Sequence, residues 1–457
     1  VETQTKDKIS IKPEIAGRLF FKGTLKNITP LTLSNGQDEY SDADIYRDID
    51  GTPVITSTAF TGALKSYFEG NYPHLTKSIT YKYLFGDSGR QGKYGLQAHF
   101  ILDDLKCISD YKTNIRDGVK IDSKTNLAVD QGKYDYEILE PGATFSLSGE
   151  ITSRQGIDAK EIDKILQIVQ SILNSGYFQV GGLTSFGFGR LQLDKGIKST
   201  GLLQKEKYIE YITNPAKFSF DHQVESADLK SNYNLSIFKF QLRPTTPLFI
   251  GGGEIKADNA DDASLKSDGK YILSAKSLKG AIRHHAFRIA NTIHGEDVAH
   301  KVCNEIFGNR AKEEKEKTEL TKSKFWTSDG FIIDNDKINS QSQVAIDRFT
   351  GGAIESALFA TEPVWPKSDT YVDIEWRIPT EPIHLGLLLL VARDLMTEML
   401  PIGGDRAIGR GRFEAIEASL DDTNIKTNRT WSDDDLSKIN GYIQAFLDFK
   451  TIQHGAQ

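Results

Sequence analysis

Apolar and polar positions follow two rhythms along this chain, and both recur in the same order in each half. Arg18 to Thr24 (RLFFKGT) and Ser236 to Leu242 (SIFKFQL) are short and rich in aromatic residues, which predicts strands. Ser57 to Glu69 and Ser274 to Ala290 predict helices, each with Ser or Thr at its start to cap free amides. Gln97 to Leu102 and Gly330 to Ile333 return as strands. Ile157 to Leu173 then sets Ile162, Ile165, Ile168, Val169 and Ile172 at helical spacing, with Leu385 to Leu400 as its counterpart. Each of these helices leads into a glycine-rich loop and a closing strand, Leu191 to Leu193 and Phe413 to Ile416. Strand, helix, strand, then helix and strand predicts an α+β, ferredoxin-like unit with insertions. Ser432 to Phe449 reads as an amphipathic helix that packs on the second unit.

Six landmark pairs show that the halves are copies. Thr29-Pro30-Leu31 and Thr246-Pro247-Leu248 lie 217 residues apart, and Thr61-Gly62-Ala63-Leu64 and Lys279-Gly280-Ala281-Ile282 lie 218 apart. Phe85-Gly86 pairs with Phe307-Gly308 at 222, and Phe100 to Asp103 pairs with Phe331 to Asp334 at 231. Val119 to Asp122 and Thr125 pair with Val344 to Asp347 and Thr350 at 225. Gly181, Gly182, Gly187, Gly189 and Arg190 pair with Gly403, Gly404, Gly409, Gly411 and Arg412 at 222. Six collinear pairs mean a tandem duplication, and a unit this long owns its own core. The expected domains are residues 1–230 and 231–457.

Composition narrows the class. Among 457 residues, 38% are hydrophobic, with 24 Phe and 17 Tyr, enough for two packed cores and too many for a disordered chain. No apolar run approaches the ~20 residues of a membrane span. The opening Val1-Glu2-Thr3-Gln4 has no apolar signal segment, and Cys107 and Cys303 flank no ligand cluster, so a reducing cytoplasm is the expected compartment. With 56 basic and 63 acidic residues the net charge is −7. An anionic partner therefore needs a local basic groove.

Two constellations supply one. In Gly181 to Arg190 (GGLTSFGFGR) and Gly403 to Arg412 (GGDRAIGRGR), glycines bring backbone close to a phosphate, and Arg190, Arg406, Arg410 and Arg412 supply charge. Ser274 to Gly280 sets Lys276 and Lys279 at a helix N-terminus, with Arg283, His284 and His285 one turn on, a combination suited to anions. In the first copy only Lys65 stands nearby. Walker A and dinucleotide fingerprints are absent.

This ordered set of an opening strand, an S-x-x-K-G helix start, a Phe-Gly pair, an I-D-R/S-x-T segment and a closing glycine loop resembles the RAMP superfamily. In particular it resembles the backbone subunits of CRISPR type III effector complexes, with the fused pair similar to type III-D double subunits. The resemblance implies two tandem ferredoxin-like (RNA-recognition-motif-type) domains that grip a guide CRISPR RNA through the helix start and glycine loop. It also implies thumb hairpins, between Ile121 and Glu137 and between Ile346 and Glu362, that flip a base at intervals along the guide–target duplex. Its partners are then the guide, a complementary target RNA and other subunits of the complex, with no membrane. In catalytic members an aspartate after the first strand cuts target RNA. Counting back from Arg47-Asp48 places it at Asp42 or the neighbouring Asp44. In the second copy, where Ser267-Asp268 replaces Arg-Asp, the count gives Asp262 or Asp261. That carboxylate is expected to act as base on a ribose 2′-hydroxyl or to hold Mg2+ or Mn2+, Asp42 and Asp262 being the metal ligands. A non-cutting RNA-binding backbone, or a guide-maturation nuclease using His284 or His285, are the other functions compatible with these residues.

Overall fold

The computed structural model describes residues 14–33, 44–86, 97–121, 128–155, 159–228, 235–253, 261–309, 321–333, 339–421, 423–425 and 433–449. They form two compact units. One is built from residues up to 115, 135–184 and 188–232; the other from 116–134, 185–187 and 233–457.

The first unit starts with β1 (Ile15–Asn27), α1 (Ser57–Asn71) and β2 (Phe100–Leu102). A hairpin of β3 (Thr113–Ile121) and β4 (Ala128–Leu139) follows along the chain, its residues 116–134 counted with the second unit, then β5 (Thr144–Arg154), α2 (Ala159–Asn174), β6 (Leu191–Ser199) and α3 (Lys205–Thr213). The sheet runs β6-β1-β5-β2, all antiparallel. In the order of the four sheet strands along the chain this is 4-1-3-2, the ferredoxin-like arrangement expected from the hydrophobic pattern. Alternation on β1 turns Leu19, Phe21 and Leu25 into the core, where they meet Phe60, Leu64 and Phe68 of α1 and the Ile162, Ile165, Val169 and Ile172 stripe of α2. Burying each such side chain contributes about 1.5–3 kcal/mol, so this seam dominates the unit's stability.

The second unit repeats the plan. It contains β7 (Leu235–Pro244), α4 (Ala275–His294), α5 (Glu296–Phe307) and β8 (Gly330–Ile333). A hairpin of β9 (Gln341–Ile346) and β10 (Ala353–Glu362) leads to β11 (Tyr371–Pro379), α6 (Pro382–Met396), β12 (Phe413–Leu420) and α7 (Asp433–Leu447). The sheet order β12-β7-β11-β8 matches that of the first unit. Its core stacks Phe238, Phe240 and Trp376 beneath the helices. Helix α6 is buried almost all round, which explains its unbroken Leu385–Val391 run. The tail helix α7 covers it with Ile439 and Phe446, and closely: a Cβ on Gly386 would stand 2.1 Å from the Tyr442 carbonyl. The tail is therefore a packing element. Among the described residues no helix is long and apolar enough to cross a membrane.

Both hairpins interrupt the plan at the same point, between the second and third sheet strands. The first begins at Thr113, earlier than the Ile121 expected from sequence. Its pattern is inverted: Ile115, Val119 and Ile121 are exposed while Arg116 is buried, so hydrophobic alternation gave no warning of the strand.

Candidate nucleic-acid interface

The two glycine-rich loops superpose bond for bond on the repeat. In the first unit Val180 N–H donates to Gly189 O (2.9 Å), Gly189 N–H to Pro30 O (2.7 Å) and Gly182 N–H to Thr32 O (3.0 Å). In the second, Ile402 N–H donates to Gly411 O (2.8 Å), Gly411 N–H to Pro247 O (2.9 Å) and Gly404 N–H to Phe249 O (2.8 Å). A Cβ on Gly189 or Gly411 would lie 1.9 Å from the Val180 or Ile402 carbonyl oxygen. Gly181 and Gly403 press on the Thr32 and Phe249 carbonyls in the same way, and Gly187 packs on Ser328. Gly409 N–H donates to Arg406 O (3.1 Å). These amides satisfy the protein's own carbonyls, which corrects the expectation that they cradle a phosphate.

The loop arginines are latched inward as well. Arg190 Nε donates to Gly176 O and Arg412 Nη1 to Glu398 O, both at 2.6 Å. Arg410 is buried, with Nη1 donating to Asp405 (2.5 Å) and Thr361 (3.0 Å) and Nη2 to Gln341. Each latch lets an arginine fix the entry to a closing strand, so these three side chains act first on the loop's shape.

The helix starts divide by face. Ser57 N–H donates to Asp104 Oδ1 (2.6 Å) and Ala275 N–H to Asp329 Oδ1 (2.8 Å), so an aspartate already occupies the first amide of each helix. Thr56 caps α1 through its hydroxyl, whereas Ser274 makes no side-chain cap. Lys279 is buried. Its ammonium donates to Ser323 Oγ (2.8 Å), Phe325 O (3.2 Å) and Ser185 O (3.4 Å), and burial, with Arg283 nearby, pushes its pKa down to about 7. That placement makes it a packing residue, contrary to the expected phosphate contact. Lys276 stands 4.5 Å over the Tyr134 ring. Arg283 Nη2 donates to Asn304 (3.2 Å), and Lys65 is exposed on α1.

Arg406, one of the loop arginines, joins this surface, together with Arg288, which the sequence did not single out. Burial first, then Arg288 and Arg406, hold the His284 pKa below its ordinary value. Arg288 follows His284 by one turn, and that i,i+4 spacing was the available signal. His285 turns the other way, its Nε2 2.7 Å from Asp394 Oδ2. Burial opposes the Asp394 carboxylate, but His285 and Arg393 keep its pKa low.

Between these groups lies a glycine on each helix. Gly62 and Gly280 are both the sixth residue of their helices, both exposed, and a Cβ on either would meet nothing within 4 Å.

The acidic loops are reached through their surroundings. Asp42 lies outside the described residues, and Asp44 stands half-buried beside Ile45. Arg47 grips Glu137 of β4 with both guanidinium nitrogens (2.9 and 2.6 Å), and Ile45 N–H donates to the same carboxylate (3.0 Å). Burial opposes the Glu137 charge, yet Arg47 and the Ile45 amide hold its pKa down. In the second unit Asp261 Oδ2 accepts from Ala360 N–H (2.7 Å), and Asp262 Oδ1 accepts from Gly252 (3.1 Å) and Ala263 (2.8 Å) amides. Among the described residues no three His, Cys, Asp or Glu side chains converge into a metal cluster.

The RAMP superfamily profile matches residues 24–192 and 241–414, one stretch in each half. The chain belongs to the RAMP superfamily. No curated protein matches it. Membership implies a CRISPR-associated RNA-binding subunit, in a superfamily that includes some endoribonucleases.

Both inserted hairpins expose large apolar side chains among the described residues. At the tip of the second, Asp347 Oδ1 accepts from Phe349 N–H (3.0 Å) and Thr350 N–H (2.7 Å), and Gly351 N–H donates to Asp347 O (2.9 Å). This tight turn holds Phe349 99% exposed. Val344, Ile346, Ile354, Leu358 and Phe359 are exposed along the same hairpin.

Proposed function

We propose that this RAMP protein is a backbone subunit of a type III effector complex, of the fused III-D kind, that holds the guide RNA along both of its domains. The observation that carries this reading is the pair Gly62 and Gly280. A helix-interior glycine costs about 1 kcal/mol relative to alanine, and nothing inside the protein requires either one. Close approach of an external backbone gives both the same reason, and Lys65 beside one and Arg283, Arg288 and Arg406 around the other give that backbone its charge. The exposed ring of Phe349 on a rigid turn fits a wedge that stacks on a displaced base.

The reading extends to cleavage of complementary target RNA beside each hairpin. A carboxylate of the acidic loops, Asp42 or Asp44 in one domain and Asp262 or Asp261 in the other, takes the proton from the 2′-hydroxyl as its oxygen attacks the adjacent phosphate; the bond from phosphorus to the 5′-oxygen breaks, water protonates that departing oxygen, and a 2′,3′-cyclic phosphate and a 5′-hydroxyl end result. A hard divalent ion needs only one or two carboxylates and water, so this acid-rich donor set fits Mg2+ or Mn2+, with Asp42 and Asp262 as its holders. Such an ion, when bound, stabilises the developing phosphate charge. The internal hydrogen bonds of Asp261 and Asp262 favour a second reading for the second domain alone, a structural half that binds guide without cutting.

The glycines provide the test. Gly62→Ala and Gly280→Ala should each raise stability by about 0.5–1 kcal/mol while weakening guide RNA binding roughly tenfold. Unchanged affinity in both variants would remove the basis of this reading.

A further inference from the structure

The acidic loop and the hairpin are joined in both domains, but by different chemistry. In the first unit the join is made of side chains. Arg47 spans from the loop to Glu137 at the root of β4, and the Ile45 amide, next to Asp44, completes the grip on that carboxylate. The residues just beyond Arg47 are fixed independently: Asp48 pairs with Lys106, and Asp48 N–H donates to Thr52 O (2.9 Å) in the turn that leads to α1. In the second unit Ser267-Asp268 stands where Arg47-Asp48 stands in the first, and the join is made of backbone. Asp262–Ala263 pairs in parallel with Thr361 and Glu362 of β10, Asp261 N–H donates to Ala360 O (2.8 Å), and Ala360 N–H returns to the Asp261 carboxylate.

A planar guanidinium bound bidentately fixes orientation as well as distance, and a backbone ladder does the same without any ionic group. We propose that Arg47 and Glu137 are positioning residues that couple the first hairpin to its acidic loop, so that RNA engaged by the hairpin is brought into register with the Asp44 segment. The second domain achieves the same registration through strand pairing and depends on no ion pair. The proposal rests on the reading of the hairpins and acidic loops as a cutting site.

The experiment compares complexes assembled on one guide RNA with wild-type chain, Arg47→Met, Glu137→Gln, and the charge-swapped Arg47→Glu/Glu137→Arg, using end-labelled target RNA to resolve each cleavage position. Glu137→Gln keeps an acceptor for Ile45 N–H, so it reports even if Arg47→Met folds poorly. The single variants are expected to slow cleavage tenfold or more at the positions served by the first domain. Target affinity should stay within twofold, cleavage at the remaining positions should be unchanged, and the swap, which restores the ion pair but takes the acceptor from Ile45 N–H, should recover part of the loss. Equal losses at all positions, no loss, or failure of the swap to recover overturns the coupling. If the wild-type complex cuts nowhere, the cutting reading fails by itself, and amide exchange judges the coupling. Exchange at Ile45 should slow on RNA binding in wild type and not in Arg47→Met. No slowing in wild type overturns it.

Discussion

Replacing Gly411 by alanine separates what the glycine loops do for the fold from what they do for RNA. Gly411 has φ +77°, and its added Cβ would stand 1.9 Å from the Ile402 oxygen and 2.9 Å from the carbonyl carbon. The left-handed backbone alone costs an alanine roughly 1–2 kcal/mol. Relieving the overlap also requires Ile402 to move, which breaks the 2.8 Å bond from Ile402 N–H to Gly411 O or the 2.9 Å bond from Gly411 N–H to Pro247 O. Each buried group left unsatisfied costs about 1–3 kcal/mol. The expected loss is ~2–5 kcal/mol, or roughly 10 °C in the melting temperature of a domain this size. Gly409→Ala is the internal control, since φ is +92° there but nothing lies within 4 Å, so only the ~1–2 kcal/mol of strain applies. Calorimetry of Gly411→Ala, Gly409→Ala and the matched Gly189→Ala measures all three. Equal effects of Gly411→Ala and Gly409→Ala would refute the clamp, because strain without overlap would then explain both. A loss at Gly411 with none at Gly189 would refute its duplication.

Two further outcomes follow from the buried lysine and the acidic loop. The Lys279 pKa falls to about 7 in the folded state, against ~10.4 in the unfolded chain, so between those values the unfolded state binds more protons and stability rises with pH. Wild type should gain ~2 kcal/mol over Lys279→Met from pH 7 to pH 9 in denaturant titrations, and parallel curves would show that the ammonium is not desolvated. Asp262→Asn keeps an oxygen for the Gly252 and Ala263 amides while removing the charge. It should therefore preserve the melting temperature and abolish cleavage at second-domain positions, whereas full activity would transfer the role to Asp261 or end it.

The duplication was legible because it rests on order, and order survives insertions: the 217-residue spacing of the Thr-Pro-Leu pairs marks the same contact of Leu31 with Leu139 and Leu248 with Val364. Helix faces were half legible. Ala275, Leu278, Ile282 and Ala286 form the buried stripe of α4, and Lys279 follows Leu278 and precedes Ile282 by three, so its burial was encoded in the period that charge obscured. The inward latches of Arg190, Arg410 and Arg412 were not legible. A loop has no period, and their acceptors, the Gly176 and Glu398 carbonyls and Thr361, Gln341 and Asp405, are chosen by tertiary packing. The Arg47–Glu137 grip spans 90 residues of chain and was hidden for the same reason.

The most direct measurement is photocrosslinking of guide RNA carrying 4-thiouridine at successive positions to the assembled complex, with the attached peptides of this chain identified by mass spectrometry. Two sets of crosslinks are predicted on one guide strand, one at the Gly62–Lys65 segment of α1 and the other at the Lys276–Gly280 segment of α4, in comparable yield and at separated nucleotides. Crosslinks confined to a single domain, or absent from both helices, would contradict an RNA grip shared by the two copies.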